Sequence, residues 1–186
     1  MVYMMKITMS AVAIFTLLGM LVDAKLTEEN VALRGRATMS SKYYGPDSSL
    51  TDAMNAIDGN TDTNYYHGSC VSTNGEFSPW WRVDLLESYK ISHVVFTARG
   101  DCCGDDHMNG AEILIGDSLA NNGNDNARCA TITSSPQGST QTFHCAGMKG
   151  RYVNIIMRKK HTALYFCEIQ IFGVPVNDNV CFDRSY

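Results

Sequence analysis

Two adjacent cysteines, Cys102 and Cys103, lie in the segment RGDCCGDD at residues 99–106, surrounded by glycines and charged residues. If they pair with each other, the bridge joins Cα atoms about 3.8 Å apart, closer than the roughly 4.4–6.8 Å that most disulfides span. Such a bridge closes almost no chain loop and therefore adds little stability through the unfolded state. We expect it to serve instead as a small, stiff, apolar plate at the surface of a loop.

Arg99 stands at the start of the same segment, and its guanidinium carries N–H donors in a fixed plane. An apolar plate beside such a donor group suits a sugar ring. Two alternatives are open at this point. Cys102 and Cys103 could each pair with a distant cysteine in a loop without a binding role. Residues 99–101 also spell Arg-Gly-Asp, an integrin-binding tripeptide that recurs by chance.

The first 24 residues are typical of a secretory signal peptide. Lys6 precedes an apolar run at residues 11–22, which is too short to cross a bilayer, and the small residue Ala24 marks the cleavage site. We therefore predict a secreted, extracellular protein without membrane insertion. Residues 25–175 are predicted to form one domain, and residues 176–186 a C-terminal extension.

All seven cysteines follow the predicted signal peptide, which indicates a disulfide framework formed in an oxidising compartment. Six of them can form three bridges, and one is left over. A zinc site is the alternative, but no two cysteines have C-x-x-C spacing.

Charge and motif context disfavour several classes of function. The net charge is −4 and no basic run is present, so neither nucleic acid nor an anionic membrane is an expected partner. An enzyme is not expected either, because a cysteine in a disulfide has no thiolate to act as nucleophile. Ser72, His67 and Asp84 lack the strand-turn-helix context of a hydrolase nucleophile.

Short runs rich in β-branched and aromatic residues predict an all-β fold. Turn signals separate these runs, and no amphipathic helix interrupts them, so we expect a two-sheet β-sandwich with Greek-key or jelly-roll connections. The predicted strands cover residues 30–38, 80–86, 89–98, 110–116, 129–133, 140–145, 150–158 and 163–173. Residues 54–70 between them are dense in oxygen-bearing side chains around the turn Asp58-Gly59, which is typical of a ligand-binding loop.

Six segments of the chain together resemble the F-type lectins, the fucolectin family of eel agglutinins. They read NVALRGRAT, NAIDGNTDTNYYHGSC, PWWRVDLL, RGDCCGDD, GRYVNI and CEIQIFG, and the similarity extends over residues 29–172. The resemblance implies a jelly-roll β-sandwich of the galactose-binding-domain type with a bound calcium ion. It also implies binding of terminal L-fucose through a His, an Arg and a second basic residue beside a vicinal disulfide, in innate defence or cell recognition.

Carried over residue by residue, the resemblance implies a sugar site that departs from the family motif. The motif Arg is Arg99, but its His falls on Ser72 and its final basic residue on Asp106. An ionised Asp accepts hydrogen bonds and donates none, and each lost charged hydrogen bond weakens binding by about 1.5–3 kcal/mol. We therefore expect weak or no binding of free L-fucose, with Ser72, Asp106 or the neighbouring His107 available for a different sugar. The remaining implied site residues are Asp101, Cys102, Cys103, Tyr43, Tyr65 and Tyr66.

The same resemblance implies a calcium site whose ligand types are all retained. Asn55, Ser69 and Cys167 would contribute backbone carbonyls, and the other implied ligands are Asp58, Asn60 and Glu168. Calcium prefers six to eight oxygen ligands. The family pairing also implies the disulfides Cys70–Cys167 and Cys129–Cys145 beside Cys102–Cys103. The alternative for Asp58 is a plain Asp-Gly turn exposed to solvent.

Cys181 has no counterpart in the lectin domain and lies in the predicted C-terminal extension. An odd cysteine in a secreted chain indicates either an interchain bridge or a free thiol, so a homo-oligomer linked through Cys181 is one expectation. The expected partners are glycans, including fucosylated ones. A protein that keeps the lectin scaffold for recognition or structure without binding sugar is the alternative function.

Overall fold

The computed structural model describes residues 28–176, and within them the regular secondary structure is mostly β-strand. The strands are β1 (Glu29–Asn30), β2 (Arg36–Met39), β3 (Val71–Ser72), β4 (Glu76–Phe77), β5 (Trp80–Thr97), β6 (Glu112–Gly116), β7 (Ala127–Thr131), β8 (Thr140–Ile156), β9 (His161–Thr162), β10 (Tyr165–Phe166) and β11 (Glu168–Pro175). Short 3-10 helices span Val31–Arg34, Ser48–Leu50, Ala53–Ile57, Tyr65–His67 and Ala120–Gly123. The predicted signal peptide and Cys181 lie outside the described residues.

Strands β5 and β8 form the centre of the fold and contribute to both of its layers. They are 18 and 17 residues long and pair antiparallel. The register shifts between Asp84 and Tyr89, a segment that contains Leu86 with a positive φ of 72°. Before this irregularity β5 pairs with β2, and after it β5 pairs with β11. A bulge of this kind bends a ladder without ending it, so each long strand passes from one layer to the other.

The sequence predicts separate strands at residues 80–86 and 89–98, and again at 140–145 and 150–158. The structure joins each pair into one bent strand, because the register shifts twice along the β5–β8 ladder without ending it. The second shift, between Ile91 and His93, lies opposite Ala146 and Gly147 in β8, where φ is 53° and 74°. The predicted strand at 163–173 is instead divided into β10 and β11 at Cys167.

The core lies between the two layers and combines side chains from both halves of β5. Trp81 and Phe96 each lie 5.5 Å from the ring of Phe166, measured between ring centres. All three side chains are fully buried. The prediction of an all-β jelly-roll sandwich stabilised by disulfides is confirmed. None of the helices formed by residues 28–176 is long and apolar enough to cross a membrane.

Candidate functional site

A cavity of about 400 Å³ opens beside the bonded pair Cys102–Cys103. Its walls come from β3, the helix Tyr65–His67, the loop that begins at Arg99, and β10. The lining residues are Tyr43, Asp47, Tyr65, Tyr66, Ser72, Thr73, Gly75, Arg99, Cys102, Cys103, Ala163 and Tyr165.

Arg99 is held rigidly at this cavity by a carboxylate and two aromatic rings. Its Nε and Nη2 donate to the two carboxylate oxygens of Asp101 at 2.9 and 2.7 Å. Its guanidinium carbon lies 4.2 Å from the ring centre of Tyr65 and 5.8 Å from that of Tyr165. Because only 10% of its side chain is exposed, the remaining N–H donors have a fixed position at the cavity.

Asp101 does not line the cavity and acts instead through Arg99. Its Oδ1 also accepts the backbone N–H of Tyr65 at 2.8 Å, which ties the arginine loop to the helix Tyr65–His67. Burial by itself would raise the pKa of Asp101, but the hydrogen bonds from Arg99 and the Tyr65 N–H lower this pKa below its usual value. Asp101 is therefore a charged positioning residue for Arg99.

The vicinal disulfide is fixed in a tight loop at the mouth of the cavity. Its two Cα atoms are 3.7 Å apart, and Cys103 and Gly104 both have positive φ, 75° and 77°. Gln137 holds the loop from outside, since its Nε2 donates to the carbonyl of Cys102 at 3.0 Å and its backbone N–H to Asp105 at 2.9 Å. The sulfur atoms thus present an apolar surface next to Arg99.

Tyr165 is a wall residue that sequence reasoning missed. It lies directly opposite Ser72 in the β3–β10 pair, and His107 stacks on its ring with ring centres 3.7 Å apart. Burial raises the pKa of Tyr165 to about 12. Its sequence position, two residues before Cys167, carries no signal of a cavity, because only the pairing of two distant strands brings it there. Asp47, Thr73, Gly75 and Ala163 were missed for the same reason.

The structure corrects the expected placement of Asp106 and His107. The Asp106 carboxylate accepts the backbone N–H of Ser135 at 2.9 Å and the hydroxyl of Ser134 at 3.1 Å, so it is turned away from the cavity lining. His107 stands behind the wall, where its Nε2 donates to the carbonyl of Ala163 at 2.9 Å. Burial lowers the pKa of His107, which favours the neutral ring. Ser72 does line the cavity, with a hydroxyl that donates to the Thr73 carbonyl at 3.3 Å.

The residues of the predicted calcium site are linked by a closed series of contacts. Asn55 Nδ2 donates to the carbonyl of Cys70 at 3.1 Å, and Cys70 is bonded to Cys167. Glu168 follows Cys167, and its Oε1 accepts the backbone N–H of Gly59 at 3.2 Å. The contacts therefore bring the Asn55–Asn60 segment, the chain around Ser69 and the Cys167–Glu168 pair to one place.

Glu168 carries the clearest mark of an ion-binding position. The residue is fully buried, and its Oε2 has no hydrogen-bond partner among the described residues. Burial, and next the nearby Asp58 carboxylate, raise the pKa of Glu168 to about 8. A buried, unpartnered carboxylate oxygen is costly unless a proton or a cation neutralises it, so these residues fit a hard divalent ion. Among residues 28–176 no group of three His, Cys, Asp or Glu side chains forms a metal site, so carbonyl and amide oxygens would complete the ligand set.

Removing the bridge between Cys70 and Cys167 is expected to destabilise the fold strongly. The cysteines are 97 residues apart in the chain, and a loop of that length corresponds to about 4–5 kcal/mol in the chain-entropy treatment of disulfides. We expect the double variant Cys70→Ala/Cys167→Ala to lose about this free energy of unfolding in urea titrations. Cys129→Ala/Cys145→Ala, with a separation of 16 residues, is expected to lose about 3 kcal/mol. An equal loss in both variants would contradict the dependence on loop length.

The chain is similar to several known sugar-binding proteins. The profile of a family described as NedA-like, galactose-binding domain matches residues 55–155. Fucolectin-4 of Anguilla japonica is 53% identical over 152 residues, which cover 81% of this chain and 83% of the relative. Fucolectin of Anguilla anguilla is 50% identical over 146 residues, covering 78% of this chain and 91% of the relative.

A solved structure shows the same similarity in three dimensions. The F-lectin (fucolectin) from the serum of Morone saxatilis, the striped bass, is 44% identical and superimposes with a TM-score of 0.74. The superposition covers 80% of this chain but 48% of the bass protein, so this chain spans about half the length of that lectin.

Proposed function

This chain belongs to the F-type lectin family, the fucolectins, and on that premise we propose that its cavity binds a terminal sugar residue of glycans. The observation that carries the proposal is the fixed guanidinium of Arg99 beside the vicinal disulfide. A binding protein, not an enzyme, is the function that lectin relatives support. Recognition without sugar remains the alternative, favoured by the loss of two motif residues at Ser72 and Asp106.

The cavity offers the two kinds of contact that a sugar ring needs. Asp101 uses two of the Arg99 N–H groups, and the others are free to donate to ring and hydroxyl oxygens of a ligand. The disulfide and the ring of Tyr66, which is 60% exposed, provide apolar surface for the C–H face. A neutral sugar that combines a polar edge with an apolar face, such as a deoxy or methylated sugar, fits this chemistry.

Free L-fucose is expected to bind weakly, because Ser72 stands where the family motif has histidine and Asp106 faces Ser134 and Ser135. Restoring the donor with Ser72→His is expected to raise the affinity for L-fucose about tenfold, the effect of one added hydrogen bond of about 1.4 kcal/mol. Calorimetric titration with L-fucose measures the change. Ser134→His, at an exposed position outside the cavity, is the matched control. Tight fucose binding by the unchanged protein would contradict the expectation.

A glycan array with calcium present tests the proposed function itself. We expect binding signals that a free monosaccharide competes away, from a sample whose thermal unfolding shows a folded protein. Signals on fucosylated glycans would identify Arg99 and the disulfide as sufficient for the family's sugar. Silence across the array from folded protein would overturn sugar binding and favour a recognition scaffold.

We further propose that the protein is secreted, contains calcium and acts in innate defence or cell recognition. Three disulfides within the described residues support an oxidising compartment, and the striped bass relative is described as a serum protein. The buried, unpartnered oxygen of Glu168 supports calcium. An ion held there would neutralise Glu168 and Asp58 and join the Asn55–Asn60 segment to β11. A homo-oligomer linked through Cys181 stays a prediction, which a non-reducing gel tests.

A further inference from the structure

A second cavity, of about 320 Å³, lies next to the first. Two short strands connect the cavities. Strand β4 lies between Gly75, which lines the first cavity, and Ser78, which lines the second. Strand β9 lies between Lys159 in the second cavity and Ala163 in the first. Three residues of extended chain span roughly 10 Å. The second cavity shares no residue with the sugar site or the calcium site described above.

Aromatic side chains form one side of this second cavity. Phe77 is 67% exposed although it is a large apolar residue, and Trp80 lines the cavity beside it. Ser78 between them has a positive φ of 54°, and Lys159 has one of 55°. The two turns are joined, since Ser78 N–H donates to the Lys160 carbonyl and Lys159 N–H to the Ser78 hydroxyl, both at 2.9 Å. These two hydrogen bonds fix the turns on either side of the cavity, and the Phe77 ring beside them is exposed to solvent.

Cations outnumber carboxylates around the same cavity. Arg158 and Lys159 line it, and the Arg82 guanidinium lies 5.4 Å from the ring centre of Trp80. The Glu112 carboxylate holds Arg158 Nε at 2.6 Å, and its other oxygen is occupied by a further arginine outside the cavity. The Asp125 carboxylate accepts a hydrogen bond from Asn121 Nδ2 at 3.0 Å, which leaves the second N–H and the oxygen of the Asn121 amide for a ligand. The local excess of positive charge contrasts with the net charge of −4 of the whole chain.

The third side of the second cavity is a loop that contains two residues in the left-handed conformation. Asn121 and Asn122 both have positive φ, 49° and 58°. The Asn122 carbonyl accepts the Nδ2 of buried Asn154 at 3.0 Å, and the Asn124 carbonyl accepts Nη2 of Arg158. These bonds fix the backbone of the loop, and the second of them also fixes Arg158 at the cavity. Asparagine adopts this left-handed conformation more readily than most other residues, so the sequence suits the turn.

We propose that this second cavity binds the acidic residue of a glycan, a sugar that carries a carboxylate or a sulfate. Phe77 and Trp80 provide rings for the C–H face of the sugar, Arg158 and Lys159 meet its charge, and Asn121 offers an amide to its hydroxyls. Arg158 already pairs with Glu112, so a neutral sugar would leave the charge of Lys159 without a counter-ion in the cavity. The proposal does not depend on sugar binding at Arg99, because the two cavities have separate linings.

The two tryptophans allow a site-specific test in the intact protein. Trp80 lines the second cavity, whereas Trp81 is fully buried and its Nε1 donates to the Ala53 carbonyl. In ¹⁵N-labelled protein the two indole N–H signals can be followed separately. The probes are a hyaluronan tetrasaccharide, which carries only carboxylates, and its sulfated chondroitin counterpart. We expect titration with either probe to shift the Trp80 signal and to leave the Trp81 signal in place.

Substitutions of a charged residue and of an aromatic residue distinguish a specific binding site from non-specific electrostatic attraction. Lys159→Asn removes the charge while asparagine tolerates the positive φ, and we expect about a tenfold weaker affinity at low salt. Phe77→Ala is expected to have an effect of similar size. Lys160→Asn removes the same charge one residue away, outside the lining, and should change the affinity less than twofold. An unmoved Trp80 signal, an equal shift with a neutral tetrasaccharide, or equal effects of Lys159→Asn and Lys160→Asn would each overturn the proposal.

Discussion

Arg99→Ala is expected to abolish glycan binding at the first cavity. The change removes the charged donor of the lining next to the disulfide and leaves the Asp101 carboxylate without its bidentate partner. Hydrogen bonds to charged groups contribute about 1.5–3 kcal/mol each, so the loss of two lowers affinity by about a hundredfold or more. Titration of the best array ligand measures this loss.

Two controls make the result specific to the geometry of Arg99. Arg99→Lys keeps the charge but not the planar pair of donors, and we expect it to retain weak binding, about tenfold below the unchanged protein. Arg36→Ala removes an exposed arginine that donates only to backbone carbonyls, and its binding should be unaffected. If Arg99→Ala keeps its thermal midpoint and its full affinity, the cavity beside the disulfide is not the sugar site.

Calcium removal is expected to lower the stability of the fold by several kcal/mol. With the ion gone, Glu168 is left buried with one unpartnered oxygen and close to the Asp58 carboxylate. A ligand present at a hundred times its dissociation constant stabilises the folded state by about 2.7 kcal/mol. Thermal unfolding with excess calcium and with a chelator measures the difference, and elemental analysis after dialysis measures the ion content.

Glu168→Gln separates the ion from the side chain itself. The amide cannot neutralise calcium, so we expect the variant to be insensitive to chelator, while its calcium-free form is at least as stable as the unchanged protein without calcium. Asp62→Asn is the matched control, because Asp62 lies in the same loop and its carboxylate pairs with His67 at 2.6 Å. It should keep its calcium response. The calcium site would be contradicted if the unchanged protein contained no metal, or if both variants lost their response to calcium equally.

The two expectations for Arg99 and Glu168 test different parts of the molecule. Arg99 acts on the ligand directly, whereas Glu168 lies outside the cavity lining. Glu168 is joined to the cavity through the Cys70–Cys167 bridge and through the chain that leads back to Tyr165. Chelation is therefore expected to weaken glycan binding only as far as it loosens β3, which carries Ser72. Binding that persists unchanged in chelator, from folded protein, would assign calcium a purely structural role.

Local sequence features determined the fold class and much of the first cavity. Runs of β-branched and aromatic residues predict strands, and several cysteines after an apolar N-terminal run indicate bridges, since both signals depend on neighbours in the chain. The predicted strand at residues 30–38 was wrong in part, because Val31–Arg34 forms a 3-10 helix. Arg99, Cys102 and Cys103 were predictable because they lie within one short segment. Tyr43, Tyr65 and Tyr66 could be placed at the same cavity only through the resemblance to the lectin family, which already contains tertiary information.

Tertiary structure alone decided which distant side chains meet. Tyr165 reaches the cavity because β10 pairs with β3, and that register depends on strands almost a hundred residues apart. Asp106 was expected at the sugar but turns to Ser134 and Ser135, since a carboxylate takes the nearest backbone donor and the path of a neighbouring loop supplies it. The second cavity arises where three separate segments converge. Composition and spacing do not report such convergence, because long-range pairing and packing set it.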